Sequence, residues 1–137
     1  MTPRNILFVA AASLVGMSVM VQQSFAADAA AGQGIFKHKC TVCHRIGPGA
    51  TNFVGPELNG LDGRTIASAA GYSYSDADQA KKKAGFVWNE TTFKKYITNP
   101  QADIPGTRMI FPGLPKDSDR DDLWAYLAQF KADGSTK

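Results

Sequence analysis

The chain is poor in the residues that bind structural metals, with two cysteines and two histidines among 137 residues. A structural zinc site needs four ligands, so this small supply argues against one. Strand-like alternation of apolar and polar residues is scarce, which argues against a sheet protein. Basic and acidic residues nearly balance, with a formal net charge of +3. No strongly charged field is therefore available to bind nucleic acid.

One long apolar run is present, and it lies at the amino terminus. Arg4 precedes an apolar stretch over residues 6–21, and Ser24 and Ala26 are the small residues that a signal peptidase inspects. The run falls short of the ~20 residues of a membrane-spanning helix. We expect residues 1–26 to be a cleaved signal peptide and residues 27–137 to form one exported, periplasmic domain. An uncut membrane anchor is the alternative.

Helix signals occur at intervals after this leader. We expect Asp28 to cap a first helix that continues through residues 40–44. Asn89 can cap a later helix that ends before Pro100, and Ser118 is the best cap for the last one. The domain is predicted to be all-α.

Long connections separate these helices. Glycine, proline and polar residues predict irregular structure over residues 47–63, 72–84 and 104–115, with a short helical turn possible over residues 65–69. Loops of this length are uncommon unless they are functional or organised around something. So few helices make only a thin core, and a large, flat, apolar cofactor would supply the missing interior.

The pentapeptide over residues 40–44, CTVCH, matches the attachment pattern of haem c. On a helix, residues three apart share one face, so the thiols of Cys40 and Cys43 can both reach the vinyl groups of one porphyrin. His44 then projects an imidazole towards the iron. A thioredoxin-like disulfide would need a βαβ unit, which the sequence does not indicate. A simple Cys40–Cys43 disulfide would leave His44 unexplained.

Matches to one known family follow this motif in order along the chain. They are Gly32, Phe36, residues 55–64, residues 71–77, Trp88, Tyr96, Asn99-Pro100, residues 104–111 and residues 122–127. On these residues the chain resembles the class I cytochromes c, closest to mitochondrial cytochrome c and the bacterial cytochromes c2. The resemblance implies three to five short helices and long loops wrapped around one covalently attached haem.

The resemblance also implies a role for particular residues. One haem c per chain would be held by thioethers to Cys40 and Cys43, with His44 and Met109 as the axial ligands of its iron. The Pro56 carbonyl would accept a hydrogen bond from the other ring nitrogen of His44. The remaining haem environment would comprise Arg64, Tyr74 and Trp88 beside the propionates, and Tyr96 and Thr107 beside Met109.

An iron with both axial positions filled leaves no place for a substrate, so we expect an electron carrier and not an enzyme. By the same resemblance it would be a monomer that takes electrons from a cytochrome bc1-type quinol–cytochrome c oxidoreductase. It would pass them to a reaction centre, a terminal oxidase or another reductase, meeting membrane complexes only transiently. The cationic candidates for docking at the haem edge are Lys37, Lys39, Lys94, Lys95, Arg108 and Lys116.

Two other functions stay open at this point. One is a peroxidase or gas-binding cytochrome in which Met109 does not bind the iron. The other is a haem subunit of a dehydrogenase complex.

Three departures from the family pattern qualify these expectations. Asn52 stands where the mitochondrial proteins have a bridging histidine, which puts that loop bond in doubt. Residues 101–103 are not lysines, so docking should depend less on charge. The lysines at 81–83 are interpreted as a solvated loop.

Overall fold

The computed structural model describes residues 26–137. The predicted signal peptide lies outside these residues, apart from Ala26 at its end. Over the described part of the chain, no helix is both long enough and apolar enough to cross a membrane.

The regular structure of residues 26–137 is helical, and the all-α prediction is confirmed. The helices are α1 (Ala29–Ile35), a π-helical segment (Phe36–Cys40), α2 (Asp76–Lys83), α3 (Glu90–Thr98), α4 (Pro100–Asp103) and α5 (Asp117–Leu127). Extended pairing in this part of the chain is confined to two isolated bridges, Thr65 with Val87 and Phe130 with Thr136.

The first helix begins where its cap predicts. The Asp28 side chain accepts hydrogen bonds from the backbone N–H groups of Ala30 and Ala31, which otherwise have no partner within the helix. The helix continues as the π segment but ends at Cys40, so the expected extension to His44 is only partly right. A tight turn follows, in which the His44 N–H donates to the Cys40 carbonyl at 2.8 Å.

A close crossing of α1 and α5 organises the core. A Cβ atom on Gly32 would lie 2.9 Å from the Tyr126 Cβ atom and even closer to the Asp122 carbonyl oxygen. Only glycine permits this approach. Beside the crossing, the rings of Phe36 and Tyr126 pack with their centroids 5.6 Å apart, and Leu123 is fully buried.

Helix α3 packs against α5 and is capped as predicted. Asn89 and Thr92 form a reciprocal capping box at its start. Phe93 and Ile97 are buried on its inner face, and the Phe93 ring lies 5.3 Å from that of Trp124. Helix α3 ends at Thr98, before Pro100 as predicted, and Asn99 then caps the short helix α4 that begins at Pro100.

The loop predicted over residues 72–84 is wrong, because helix α2 occupies Asp76–Lys83. Its start is capped by Ser75, whose side chain accepts from the Asp78 N–H group. Acidic residues in the first turn and the lysines at 81–83 in the last suit the helix dipole. The lysine run is therefore a helix end, and Lys82 Nζ donates to the Ala67 carbonyl at 3.2 Å.

Two smaller predictions also need correction. Residues 65–69 do not form a helical turn, since Thr65 pairs with Val87 and Ala67 adopts a φ of 54°. Helix α5 begins at Asp117, one residue before the predicted cap Ser118. Arg120 holds this start by pairing with Asp117 and by donating to the Leu114 carbonyl.

Candidate cofactor cavity

A cavity of about 300 Å³ opens between the CTVCH turn and the loop after α4. This volume lies at the lower end of the range for small-molecule sites. The ten residues that the sequence predicts for the site all line it: Cys40, Cys43, His44, Pro56, Arg64, Tyr74, Trp88, Tyr96, Thr107 and Met109. The fold therefore brings together one candidate site from residues up to 69 positions apart in the sequence.

Both thiols are free and reach the cavity. Cys40 and Cys43 are half-buried and form no disulfide with each other. Burial raises the pKa of the Cys40 thiol to about 11, so it is protonated at neutral pH in this environment. Within residues 26–137 no group of three or more histidine, cysteine or acidic side chains could hold a metal ion. The thiols are thus suited to covalent attachment of a group in the cavity.

His44 is held in one orientation. Its Nδ1 lies 2.8 Å from the Pro56 carbonyl oxygen. A carbonyl can only accept, so Nδ1 carries the proton and Nε2 is the nitrogen with a free lone pair. Burial lowers the pKa of His44, and the bond to Pro56 opposes this only in part. The ring is therefore a neutral imidazole, the form that binds metals.

Gly55 lies directly against the same ring. A Cβ atom at this position would lie 2.7 Å from His44 Nδ1 and 3.0 Å from Nε2. The loop is fixed on both sides of the contact, because Gly55 N–H donates to the Cys43 carbonyl and Leu58 N–H to the Arg45 carbonyl. Sequence reasoning assigned no role to Gly55 beyond a family match.

Asn52 makes a bond between loop segments, although the lack of a histidine at this position had put that bond in doubt. Its amide Nδ2 donates to the Ala70 carbonyl at 2.8 Å, and its Oδ1 accepts from the Glu57 N–H group at 3.0 Å. An amide can donate and accept at once, so it bridges two loop segments as an imidazole can.

One edge of the cavity carries Arg64, Tyr74 and Trp88. Arg64 pairs with Glu57 at 2.9 Å and also donates to the Asn59 and Glu57 carbonyls. The Tyr74 hydroxyl accepts from the Ala69 N–H group at 3.1 Å. The Trp88 ring packs edge-on against Tyr96 at 5.1 Å. These polar groups are ordered and stand beside an otherwise apolar cavity.

Met109 lines the same cavity from the irregular stretch after α4. Its backbone N–H donates to the Thr107 hydroxyl at 3.4 Å, and that hydroxyl lies 3.1 Å from the Tyr96 hydroxyl. The exposed side chain of Gln101 donates to the carbonyls of Thr107 and Met109, at 2.9 and 3.0 Å. Burial raises the pKa of Tyr96 to about 12, so this hydroxyl remains protonated at neutral pH.

The sequence did not single out Asp78, which also lines the cavity. It lies in the first turn of α2 and is 7% exposed. The signal that could have found it is the Ser75-x-x-Asp78 spacing, a helix-start pattern.

Apolar side chains surround the mouth of the cavity. Val42, Val54 and Ile110 line it and are exposed, Ile110 at 95%. Phe53 is exposed next to Val54, with the Arg45 guanidinium 4.2 Å from its ring centroid. We call Val42, Phe53, Val54 and Ile110 the apolar rim.

The six cations proposed for docking do not share one surface. Lys39 and Arg108 line the cavity, and Lys37 and Lys116 are exposed. Lys94 and Lys95 lie on the face of α3 opposite its buried residues and pair with acids, Lys94 with Asp121 and Glu90, Lys95 with Asp103. Lys94 and Lys95 thus do not line the cavity, whereas Lys39 and Arg108 do.

The lining suits a flat, apolar, covalently bound group with a central metal. It offers two thiols three residues apart, a neutral imidazole and a thioether in one cavity. The close fit of Gly55 to His44 leaves the ring in a single position. These donors match the group that the pentapeptide predicts.

Comparison with known proteins agrees with this geometry. The family model described as Cytochrome c matches residues 29–131. The chain is 58% identical to cytochrome c2 of Rhodoblastus acidophilus over 110 residues, 80% of this chain and 99% of that protein. It is 48% identical to cytochrome c-554 of Methylosinus trichosporium over 135 residues, 98% of this chain and 99% of that protein. The solved structure of cytochrome c2 from Rhodospirillum Centenum superposes with a TM-score of 0.72 at 36% identity, covering 76% of this chain and 98% of that one.

Proposed function

The chain belongs to the cytochrome c family, and from that premise we propose how its residues serve a periplasmic electron carrier. It carries one covalently attached haem c and functions as a soluble shuttle of single electrons. The haem, when bound, supplies an iron that gains and loses one electron reversibly. The residue roles and partners given below are proposals.

Cys40 and Cys43 would form the two thioethers, and His44 and Met109 would bind the iron. One observation carries this assignment: the imidazole of His44 and the side chain of Met109 line the same cavity as the two free thiols. Arg64, Tyr74 and Trp88 would receive the propionates, because they supply polar groups at one edge of this cavity. Buried carboxylates need such partners.

The protein's own contribution is to hold both ligands still. The Pro56 carbonyl fixes the tautomer of His44, and Gly55 makes room for its ring by having no side chain. Thr107 and Gln101 hold the backbone of Met109. With both side chains held in place, little of the protein would rearrange during electron exchange, and the iron would have no position open to a substrate. This supports a carrier over a peroxidase or a gas-binding protein.

Partners would dock on the apolar rim, with Lys39 and Arg108 inside the contact and the exposed Lys37 and Lys116 as steering charges. The upstream partner would be a cytochrome bc1-type complex, and the downstream one a reaction centre, a terminal oxidase or another reductase. Because the rim is apolar and few cations remain, association should depend only weakly on salt.

The domain would reach these partners after export and cleavage behind Ala26. Three features support this: the basic start, the apolar run and the small residues before the proposed cleavage position. The mature protein would be a free monomer, not a fixed subunit of a dehydrogenase.

Purified holoprotein tests this function against its alternatives. We expect a single reversible one-electron transition in a potentiometric titration, and no rapid, tight binding of carbon monoxide by the ferrous form at neutral pH. The variant Met109→Ala serves as the control, because its open position should bind carbon monoxide. Tight binding by the parent protein would favour the gas-binding alternative, and copurification with a dehydrogenase from a periplasmic extract would favour the subunit.

A further inference from the structure

Asp78 is a buried acid whose position none of the proposed roles uses. It is 7% exposed and lines the cavity that contains His44 and Met109. Burying a carboxylate is costly unless it is hydrogen-bonded. Its presence inside the cofactor cavity therefore calls for a physical account.

The carboxylate is held by two hydroxyl donors. Ser75 Oγ donates to Asp78 Oδ2 at 2.6 Å, and Thr107 Oγ1 donates to the same oxygen at 3.4 Å. Asp78 also lies in the first turn of α2, where the helix dipole favours a negative charge. Both hydroxyls therefore donate to one oxygen of this buried side chain, and the dipole of α2 suits an acidic residue there.

The Asp78 carboxylate is linked through Thr107 to the backbone of Met109, and no cation of the described residues pairs with it. Thr107, which donates to Asp78, also accepts from the Met109 N–H group. Among the residues that the structure describes, Asp78 takes part in no salt bridge: Arg64 pairs with Glu57, and Arg108 donates to Ser73. Solvent screens a charge at such a buried position much less than one on the surface.

We propose that Asp78 is an electrostatic tuning residue that lowers the reduction potential of the bound haem. The ferric state carries one more positive charge than the ferrous state, so a nearby negative charge stabilises the ferric state more. The step is the one-electron exchange with a redox partner, in which no bond forms or breaks. This inference rests on the proposed function, because it assumes iron bound between His44 and Met109.

The test is the reduction potential of three holoprotein variants at neutral pH. Asp78→Asn removes the charge and keeps an oxygen that can accept from Ser75, and we expect it to favour the ferrous state about tenfold, or about 59 mV for one electron. Asp76→Asn is the matched control, since Asp76 is exposed in the same turn of α2 and should change the equilibrium less than twofold. Asp78→Glu keeps the charge and should restore a potential close to that of the parent protein.

Several outcomes would overturn the proposal. They are equal shifts for Asp78→Asn and Asp76→Asn, no shift for Asp78→Asn, or an equal shift for Asp78→Glu. Asp78→Ser provides a second neutral variant if Asp78→Asn attaches no haem. If neither neutral variant attaches haem while Asp78→Glu does, the role is structural and the tuning role is wrong. The parent protein is first checked for a one-electron transition and sulfur ligation, so failure of the proposed function is recognised separately.

Discussion

The two walls of the cavity are built by different means. The histidine wall (residues 40–64) holds His44 by steric fit, with Gly55 against the ring and the Pro56 carbonyl on Nδ1. The methionine wall (residues 96–111) holds Met109 by hydrogen bonds: the Met109 N–H donates to the Thr107 hydroxyl, and Gln101 donates to the Thr107 and Met109 carbonyls. Close packing tolerates almost no change, whereas single hydrogen bonds contribute modestly and separately. A single substitution against the His44 ring should therefore destabilise the histidine wall strongly, whereas each substitution in the methionine wall should have a smaller effect.

The largest effect is expected from Gly55→Ala on the histidine wall. The new methyl group would overlap the His44 ring, and overpacking of this kind costs about 3 kcal/mol. We expect little holoprotein and a correspondingly lower free energy of unfolding, measured by denaturant titration. Gly34→Ala is the control, because a Cβ atom there meets nothing within 4 Å. A Gly55→Ala protein as stable as the parent would show that the fit is not close.

Alkaline pH should weaken the methionine wall next. The pKa of Tyr96 is raised from 10.0 to about 12 by burial, so above pH 10 the unfolded chain loses this proton while the folded protein keeps it. Stability is then lost as the pH rises from 10 to 12, by roughly 2–3 kcal/mol. Denaturant titrations across this interval measure the slope. The Tyr96→Phe protein should lose less stability over this pH interval. Identical slopes for the two proteins would contradict the raised pKa assigned to Tyr96.

A smaller effect is expected from Thr107→Val. The substitution removes the hydroxyl that accepts from Met109 N–H and contacts Tyr96, at a cost of about 1–2 kcal/mol. Because Met109 is then held less firmly, imidazole should displace it from the ferric protein with roughly tenfold higher affinity. The exposed Thr91 on α3 provides the control Thr91→Val. Equal imidazole affinities for both variants would contradict the role of Thr107.

The smallest effect is expected from Gln101→Ala. It removes two hydrogen bonds to backbone carbonyls of the same segment, but from an exposed side chain. We expect a loss of about 1 kcal/mol and an increase of a few-fold in imidazole affinity. Gln129→Ala is a comparable exposed change after α5 and should leave both quantities unaltered. A Gln101→Ala effect larger than that of Thr107→Val would reverse the order proposed for this wall.

The two walls also differ in how far the sequence could predict them. The histidine wall follows from a local pattern, because residues three apart on a helix fix where two thiols and an imidazole lie. The caps Asp28 and Asn89 are local signals of the same kind, and the structure has both of them. Met109 was placed only by resemblance, since its loop carries no periodic pattern.

The features that the sequence did not reveal depend on caps and on how distant segments pack together. Helix α2 is so polar that periodicity could not reveal it, and it depends on the Ser75 cap and on charges that match the dipole. Lys94 and Lys95 were expected at the haem edge by resemblance to the family, and neither lines the cavity. The position of Asp78 in the site depends on the packing of α2 against the loop that contains Thr107, which the sequence does not show.

The central claim is that iron is bound between His44 and Met109 in this cavity. The most direct measurement is the visible spectrum of the ferric holoprotein, which contains an absorption band characteristic of a bond between iron and a thioether sulfur. The account predicts this band in the parent protein and its loss in Met109→Leu, with the thioether-attached haem retained in both. A parent protein without the band, or a Met109→Leu protein that keeps it, would contradict the claim.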